Sequence, residues 1–336
     1  MKAFRINRYS KTDTLEFVEV PAPKTKEHQV LVEIYAASIN QLDAKLKHGD
    51  FKLLLPYKMP LILGHDVAGV IVQVGSKVNN FQVGDEIYAR LPDFSIGGFA
   101  EYVAIDENDI ALKPTNMTME EAASIPLVGL TGWQALVEIA QIKKGQKVFI
   151  QAGSGGVGTI AIQLAKYLGA TVATTASKNS FDLLQSLGAD LLIDYKTEKF
   201  EDIISDYDVV LHSQDTKTLE KCFGILKPGG KVISISGPPT VDFAQDLGLA
   251  WYMKLIISLL SRGIEKKANK LKIDYTFLFM RANGQQLTEI TKLIEANQIK
   301  AIIDKIFPFD STNDALTYVE SGRAKGKVVV TRSLKD

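Results

Sequence analysis

Over the first third of the chain, apolar and polar positions alternate in short runs. Residues 29–35, 67–74 and 86–89 each read as a strand with one buried face. Turn signals lie beside them at Gly75-Ser76 and Val83-Gly84-Asp85, and this spacing predicts a β-rich fold of barrel type. Near residue 122 the pattern changes. Residues 147–151 form a short apolar strand, and residues 159–168 follow with Ile160, Leu164 and Leu168 at helical spacing. A strand over 171–175, a helix over 181–187, and strands at 191–193, 208–211 and 231–235 continue the alternation, and 275–280 adds a further strand. Strands alternating with helices predict βαβ units in a parallel sheet. Residues 285–297 then read as an amphipathic helix with Leu287, Ile290 and Ile294 on one face. A strand over 300–307, a helix over 313–319 and a last strand over 327–331 close the chain. The pattern divides it into residues 1–122 with 281–336, the tail completing the first domain, and residues 123–280 between them.

The strongest local motif is Ala152-Gly153-Ser154-Gly155-Gly156-Val157-Gly158, a G-x-G-x-x-G that follows a predicted strand and opens a predicted helix. Gly153 suits the tight turn, Gly155 a close backbone approach to a pyrophosphate, and Gly158 the packing of helix on strand. Free N–H groups and the helix dipole favour phosphate at that end. The next strand chooses the dinucleotide. An acidic residue about 20 residues past the glycines would hold the ribose 2′-hydroxyl of NAD. Here the strand ends Thr174-Thr175-Ala176-Ser177-Lys178, with no carboxylate. Lys178 offers a cation and Ser177 a hydroxyl to a 2′-phosphate, and Tyr195 after the third strand adds a phenol. The expected cofactor is NADPH.

Composition narrows the partners. Lys plus Arg equals Asp plus Glu at 39 each, so the chain lacks the positive field of a nucleic-acid binder. The basic run over 262–272 reads as a solvated helix face. The longest apolar stretch, 247–260, is interrupted by Lys254 and falls short of the ~20 residues that span a bilayer. The opening MKAFRINRYS has no apolar core behind its charges, and a single cysteine, Cys222, excludes an internal disulfide. These features predict a cytoplasmic protein.

In order and spacing, the motifs resemble the zinc-free quinone and enone (alkenal) reductase branch of the medium-chain dehydrogenase/reductase superfamily. The resemblance runs through Ala37-Ser38-Ile39-Asn40 with Asp43, Gly64-His65-Asp66-Val67-Ala68-Gly69, Val83-Gly84-Asp85 and Gly98-Phe99-Ala100-Glu101-Tyr102. It continues with Leu130-Thr131-Gly132-Trp133, the glycine motif, Leu187-Gly188-Ala189-Asp190 and residues 322–327. It implies an α/β protein: a GroES-like distorted β-barrel catalytic domain plus a Rossmann cofactor domain with a doubly wound parallel sheet. It implies no metal. Asn40 stands where related alcohol dehydrogenases carry a first zinc-binding cysteine, His65 survives alone, and one cysteine cannot make a Cys₄ site. His28, His48 and His212 show no metal spacing.

The implied reaction passes a hydride to a quinone or to the C=C bond of an α,β-unsaturated carbonyl, and the developing oxygen charge needs donors. Asn40 is expected to contact the nicotinamide ribose or the substrate oxygen, or else to cap a local turn. Thr131 matches a position beside the nicotinamide, or caps a helix. Lys52 falls in a segment that carries a proposed catalytic lysine in enone reductases, and otherwise is a surface lysine; Tyr57 is an acid or a packing residue. Ser154, Gly155, Gly156 and Val157 are expected at the pyrophosphate, and Ser177, Lys178 and Tyr195 at the 2′-phosphate. Leu278 and Phe279 are expected along the nicotinamide, and Arg323, Ala324 and Lys325 in a tail that touches the cofactor. A departure from the family pattern stands at His212-Ser213-Gln214-Asp215. Residues 250–272 read as an extended helical segment that covers the cleft or forms a subunit contact, and relatives are often homodimers. The alternatives are a zinc alcohol dehydrogenase and a non-catalytic NADPH-binding sensor or interaction protein.

Overall fold

The computed structural model describes residues 1–332 and separates into two compact units, Met1–Leu130 joined by the chain from Arg281 onward, and Thr131–Met280. The first unit begins with β1 (Lys2–Ile6), β2 (Glu16–Glu19) and β3 (Gln29–Ile39), followed by α1 (Gln41–His48) and β4 (Leu61–Ile62). It continues with β5 (Asp66–Val74), β6 (Glu86–Arg90), β7 (Tyr102–Asp106), β8 (Ile110–Leu112) and α2 (Met119–Ala123). Helix α3 (Pro126–Trp133) carries the chain into the second unit.

Strand β3 organises the first unit. Its N-terminal half alternates between buried and half-buried positions, and from Ala37 to Ile39 every residue is buried. The reason is in the pairing: β3 is antiparallel to β5 and β7 and also to the last strand of the chain. Gly69 sits in β5 at this crossing, where a Cβ would lie 2.1 Å from the carbonyl oxygen of Glu33. Only glycine allows the two strands to approach so closely. A small sheet in the order β2-β1-β4 joins this unit. The sequence pattern did not announce it, because β2 leaves three of its four residues exposed and has no clean apolar face.

The second unit holds β9 (Lys147–Ile150), α4 (Gly156–Tyr167), β10 (Thr171–Ala176), α5 (Phe181–Ser186) and β11 (Leu191–Asp194). It continues with β12 (Tyr207–His212), α6 (Thr216–Gly224), β13 (Leu226–Ser234), α7 (Val241–Asp246), α8 (Trp251–Lys270) and β14 (Asp274–Phe277). The six strands are all parallel, in the order β11-β10-β9-β12-β13-β14. That order reverses direction between β9 and β12, the switch point of a doubly wound sheet. The strand expected over 275–280 ends at Phe277, so Leu278 and Phe279 lie just beyond it. Phe149, Ile193, Phe200, Val210, Phe223 and Val232 form the buried core on one side of the sheet.

The chain then returns to the first unit through α9 (Gly284–Glu295), β15 (Ile303–Pro308), α10 (Thr312–Glu320) and β16 (Lys327–Thr331). Strand β16 inserts between β15 and β3, completing a seven-stranded sheet with β5, β6, β7 and β8.

Phe149 is fully buried in the central strand β9 and stacks on Phe200 with ring centroids 4.8 Å apart. Phe149→Ala is expected to destabilise the second unit by about 3–5 kcal/mol through lost burial and the remaining cavity. Urea unfolding would measure it; a loss below about 1 kcal/mol would refute this view of the core.

Candidate functional site

Two groups of candidate residues emerge, one in each unit. In the first unit, Asn40 occupies the N-cap position of α1. Its backbone N–H donates to Asp43 Oδ2 at 2.8 Å, but its side chain turns elsewhere. The amide nitrogen donates to Asp66 Oδ2 at 2.9 Å and to the Ser38 carbonyl at 3.4 Å. The amide oxygen accepts from the Lys327 ammonium.

Asp66 is the hub of this cluster. Its Oδ2 also accepts from the Ser38 hydroxyl at 2.9 Å and lies 3.3 Å from Lys327 Nζ, while Oδ1 accepts from the Leu127 backbone N–H at 2.9 Å. Asp66 is fully buried and Lys327 is 5% exposed. Burial lowers the Lys327 pKa, and the facing Asp66 carboxylate works against that loss of charge. Beside this pair, His65 donates from Nδ1 to Asp43 Oδ1 at 2.6 Å, and its Nε2 is buried without a hydrogen bond. Among the described residues, no group of three or more His, Cys, Asp or Glu is placed to hold a metal ion. The Lys327 ammonium already provides a fixed cation to the donor set around Asp66. Cys222 belongs to the second unit, where it accepts a hydrogen bond from Gln151 at 3.4 Å and burial raises its thiol pKa.

The other candidates of this unit spread out. Tyr57 packs on Phe94 with ring centroids 5.3 Å apart, and its hydroxyl accepts from the Phe94 N–H at 3.3 Å. Burial pushes its pKa up to about 12. Lys52 is exposed on the turn after α1. Arg323 and Lys325 are exposed and Ala324 is half-buried in the loop between α10 and β16, directly before Lys327.

In the second unit the candidates gather at the C-terminal ends of adjacent parallel strands. The glycine loop follows β9, Ser177 and Lys178 follow β10, and Tyr195 follows β11. Gly155 is the N-cap of α4. A Cβ at Gly153 would meet the Thr174 hydroxyl at 2.2 Å, and one at Gly158 would meet the Ala152 carbonyl at 2.5 Å. At Gly155 a Cβ would meet only the Ala152 carbonyl oxygen, at 3.3 Å, so this glycine is less hemmed in by the protein than the other two. The loop is pinned to β10 by Gly153 N–H to the Thr175 carbonyl at 3.0 Å and Ala152 N–H to the Thr175 hydroxyl at 3.2 Å. The first-turn amides of α4, among them Gly156 and Val157, have no carbonyl within the helix to bond. This cradle, with Ser154 half-buried on it and Lys178 exposed one strand away, fits a dinucleotide phosphate backbone. Tyr195 is 61% exposed. Thr131 is buried within α3 rather than at its start, so it does not cap that helix. Leu278 is nearly buried and bonds through its N–H to the Ser234 carbonyl at 2.8 Å, while Phe279 packs on Phe243.

The atypical loop after β12 has a definite structure. His212 is buried, with Nδ1 2.8 Å from the Ser234 hydroxyl and Nε2 3.1 Å from the Asp215 carbonyl. A carbonyl only accepts, so Nε2 carries the proton and Nδ1 accepts from Ser234. Burial lowers the His212 pKa to about 4, which keeps the ring neutral. The Ser213 N–H donates to Gln151 Oε1 at 3.3 Å, tying this loop to the end of β9. Sequence reading had not placed Ser38, Asp66 or Lys327 in a site. The available signal was a lysine heading an apolar terminal strand, where a charge has no reason to be unless it is paired.

Comparison with known proteins follows the same lines. A family model described as Alcohol dehydrogenase GroES-like domain matches residues 26–115, and one described as Zinc-binding dehydrogenase matches residues 187–330. A 2-methylene-furan-3-one reductase of Solanum lycopersicum is 36% identical over 98% of this chain and 79% of its own length. An NADPH-dependent alkenal/one oxidoreductase, chloroplastic, of Arabidopsis thaliana is 35% identical over the same shares. The solved quinone oxidoreductase from Coxiella burnetii superposes with a TM-score of 0.86 at 30% identity, covering 98% of this chain and 99% of that one.

Two outcomes follow from these geometries. Lys327→Met leaves the Asp66 carboxylate buried without its cation and is expected to cost about 3–5 kcal/mol, most of it recovered by adding Asp66→Asn. Chemical denaturation measures both, and equal losses in the single and double variants would refute the pairing. His212, held near 4 in the folded chain against an ordinary 6.5, takes up its proton later than the unfolded chain does. Its contribution is complete above about 6.5 and is lost as pH falls towards 4, on the order of 3 kcal/mol. His212→Gln should flatten the stability profile across that window; an unchanged slope would show that another group titrates there.

Proposed function

The chain belongs to the medium-chain dehydrogenase/reductase superfamily, among its quinone and enone oxidoreductases, and on that footing we propose how its residues divide the work of an NADPH-dependent reductase. The observation that carries the cofactor assignment is the end of β10. Lys178 stands exposed there beside the phosphate cradle, and Ala176-Ser177-Lys178 offers no carboxylate to a free 2′-hydroxyl. When bound, NADPH supplies a hydride to the C=C bond of an enone or to a quinone.

The chain's own residues bind and orient. Ser154, Gly155, Gly156 and Val157 hold the pyrophosphate at the start of α4, and Lys178, Ser177 and Tyr195 hold the 2′-phosphate. Both amide N–H groups of Asn40 are directed to Asp66 and Ser38, whereas its oxygen keeps a second lone pair beyond the one used by Lys327. We therefore assign Asn40 to accept from a ribose hydroxyl rather than to donate to the acceptor. Thr131, Leu278 and Phe279 are assigned to the nicotinamide, and Arg323, Ala324 and Lys325 to the cofactor's rim. Tyr57, with its pKa pushed up to about 12 by burial, stays neutral and is assigned as a hydrogen-bond donor to the acceptor. Lys52 is assigned to the developing oxygen charge.

The reading includes a cytoplasmic homodimer. A single buried thiol suits a reducing compartment, and among the described residues the outer edge of β14 has no strand partner. Among the described residues, no helix is long and apolar enough to cross a membrane.

The test is NADPH oxidation against a panel of quinones and α,β-unsaturated carbonyls, with NADH and a chelator as controls and calorimetric binding alongside. Chelator-insensitive turnover preferring NADPH is expected. Lys178→Ala should weaken NADPH binding roughly 10- to 100-fold, the worth of one charge-assisted bond, and leave NADH binding unchanged. Tight NADPH binding without turnover of any acceptor would turn the reading towards a binding protein.

A further inference from the structure

Helix α8 presents an outer face that no other described residue covers. Ile257, Ser261, Ile264 and Ala268 are its buried residues, and Ile264 and Ala268 join the core of the second unit. At 100° per residue these four centre on one side of the helix. Trp251, Tyr252, Leu255, Ile256, Leu259 and Leu260 centre on the opposite side and are 77, 53, 55, 47, 63 and 65% exposed. Together they form a contiguous apolar patch on the order of 600 Å², at the upper end of what a soluble monomer shows and characteristic of an interaction surface.

The second half of the same outer face is cationic. Arg262, Lys266, Lys267 and Lys270 are all exposed, and the one acid of the helix, Glu265, lies on its flank and is half-buried. Lys267 pairs with Glu220 of the neighbouring helix; the others meet no carboxylate among the salt bridges of the described residues. This charge pattern selects the occupant. An interface between two copies about a twofold axis must complement itself. A twofold contact through the apolar half would set apolar side chains against their copies but leave the cationic half, which has no exposed acid, without a partner of opposite charge. An occupant that accepts apolar side chains and supplies negative charge meets both halves.

We propose that α8 docks the protein on an anionic phospholipid bilayer surface. Trp251, Tyr252, Leu255, Ile256, Leu259 and Leu260 enter the boundary between headgroups and acyl chains. Arg262, Lys266 and Lys270 lie along the phosphates, and the helix stays parallel to the surface with its opposite side fixed to the protein. Tryptophan and tyrosine at the start of the helix suit this depth, having an apolar ring and a polar edge. The inference goes beyond the reductase reading and does not rest on it.

The experiment is co-sedimentation of the full chain with vesicles of phosphatidylglycerol and phosphatidylcholine, compared with pure phosphatidylcholine. Binding is expected on the anionic vesicles, roughly 10-fold weaker on the neutral ones, and weakened by high salt. Leu255→Glu/Leu259→Glu and Lys266→Glu/Lys270→Glu should each lose at least ~10-fold while keeping NADPH binding and thermal stability. The fluorescence of the unaltered protein gives an independent reading. Of its two tryptophans, Trp133 is half-buried in α3, so a blue shift on anionic vesicles that disappears in Trp251→Phe reports insertion of α8. Failure of the unaltered protein to bind anionic vesicles would overturn the proposal. So would a dimer, seen by light scattering, that Leu255→Glu/Leu259→Glu dissociates, because the face would then belong to a second copy.

Discussion

The first unit turns on one buried carboxylate. Asp66 takes hydrogen bonds from β3 through Ser38, from the start of α1 through Asn40, from the start of α3 through the Leu127 amide, and from β16 through Lys327. Three stretches far apart in sequence, residues 38–40, Leu127 and Lys327, are thereby fixed around two oxygen atoms. Removing an ion pair from water is costly, and the pair is tolerable only because further donors complete the carboxylate's shell. The consequence for function is the orientation of Asn40, whose side chain is held from both ends and has little freedom to rotate.

The second unit uses backbone where the first uses charge. Its parallel sheet brings the loops after β9, β10, β11 and β12 to one end, so that the glycine loop, a lysine, a tyrosine and the His212 loop share that end. Threonines on β10 hold the glycine loop against the sheet, and Gln151 links it to Ser213. The His212 loop departs from the commoner family pattern without losing order: a neutral imidazole bridges the ends of β12 and β13 and satisfies both of its nitrogens.

Much was legible in the sequence because local rules carried it. The glycine motif needs no tertiary partner to be recognised, since the turn and the helix start are written in consecutive residues. The period of the apolar positions placed β9, β10, β12 and α4, and the spacing of separate motifs placed the family. Short elements escaped: β2 leaves three of its four residues exposed and so has no period to read, and β4 is only two residues long. The strand expected through residue 280 continued in apolar composition past Phe277, where the ladder to β13 stops pairing.

What the sequence by itself determined was the two-part architecture, the dinucleotide fold and the preference for a 2′-phosphate, since each rests on neighbouring residues. Tertiary structure alone decided that Lys327 is an interior cation, that Asn40 is spoken for by Asp66, and that His212 is a structural base. Those roles depend on groups brought together from up to 287 positions away, and no local pattern encodes which distant side chain will face a buried charge. The same holds for α8. Its amphipathic spacing was written in the chain, but only the folded unit showed which face it buries and left the tryptophan-led face to solvent.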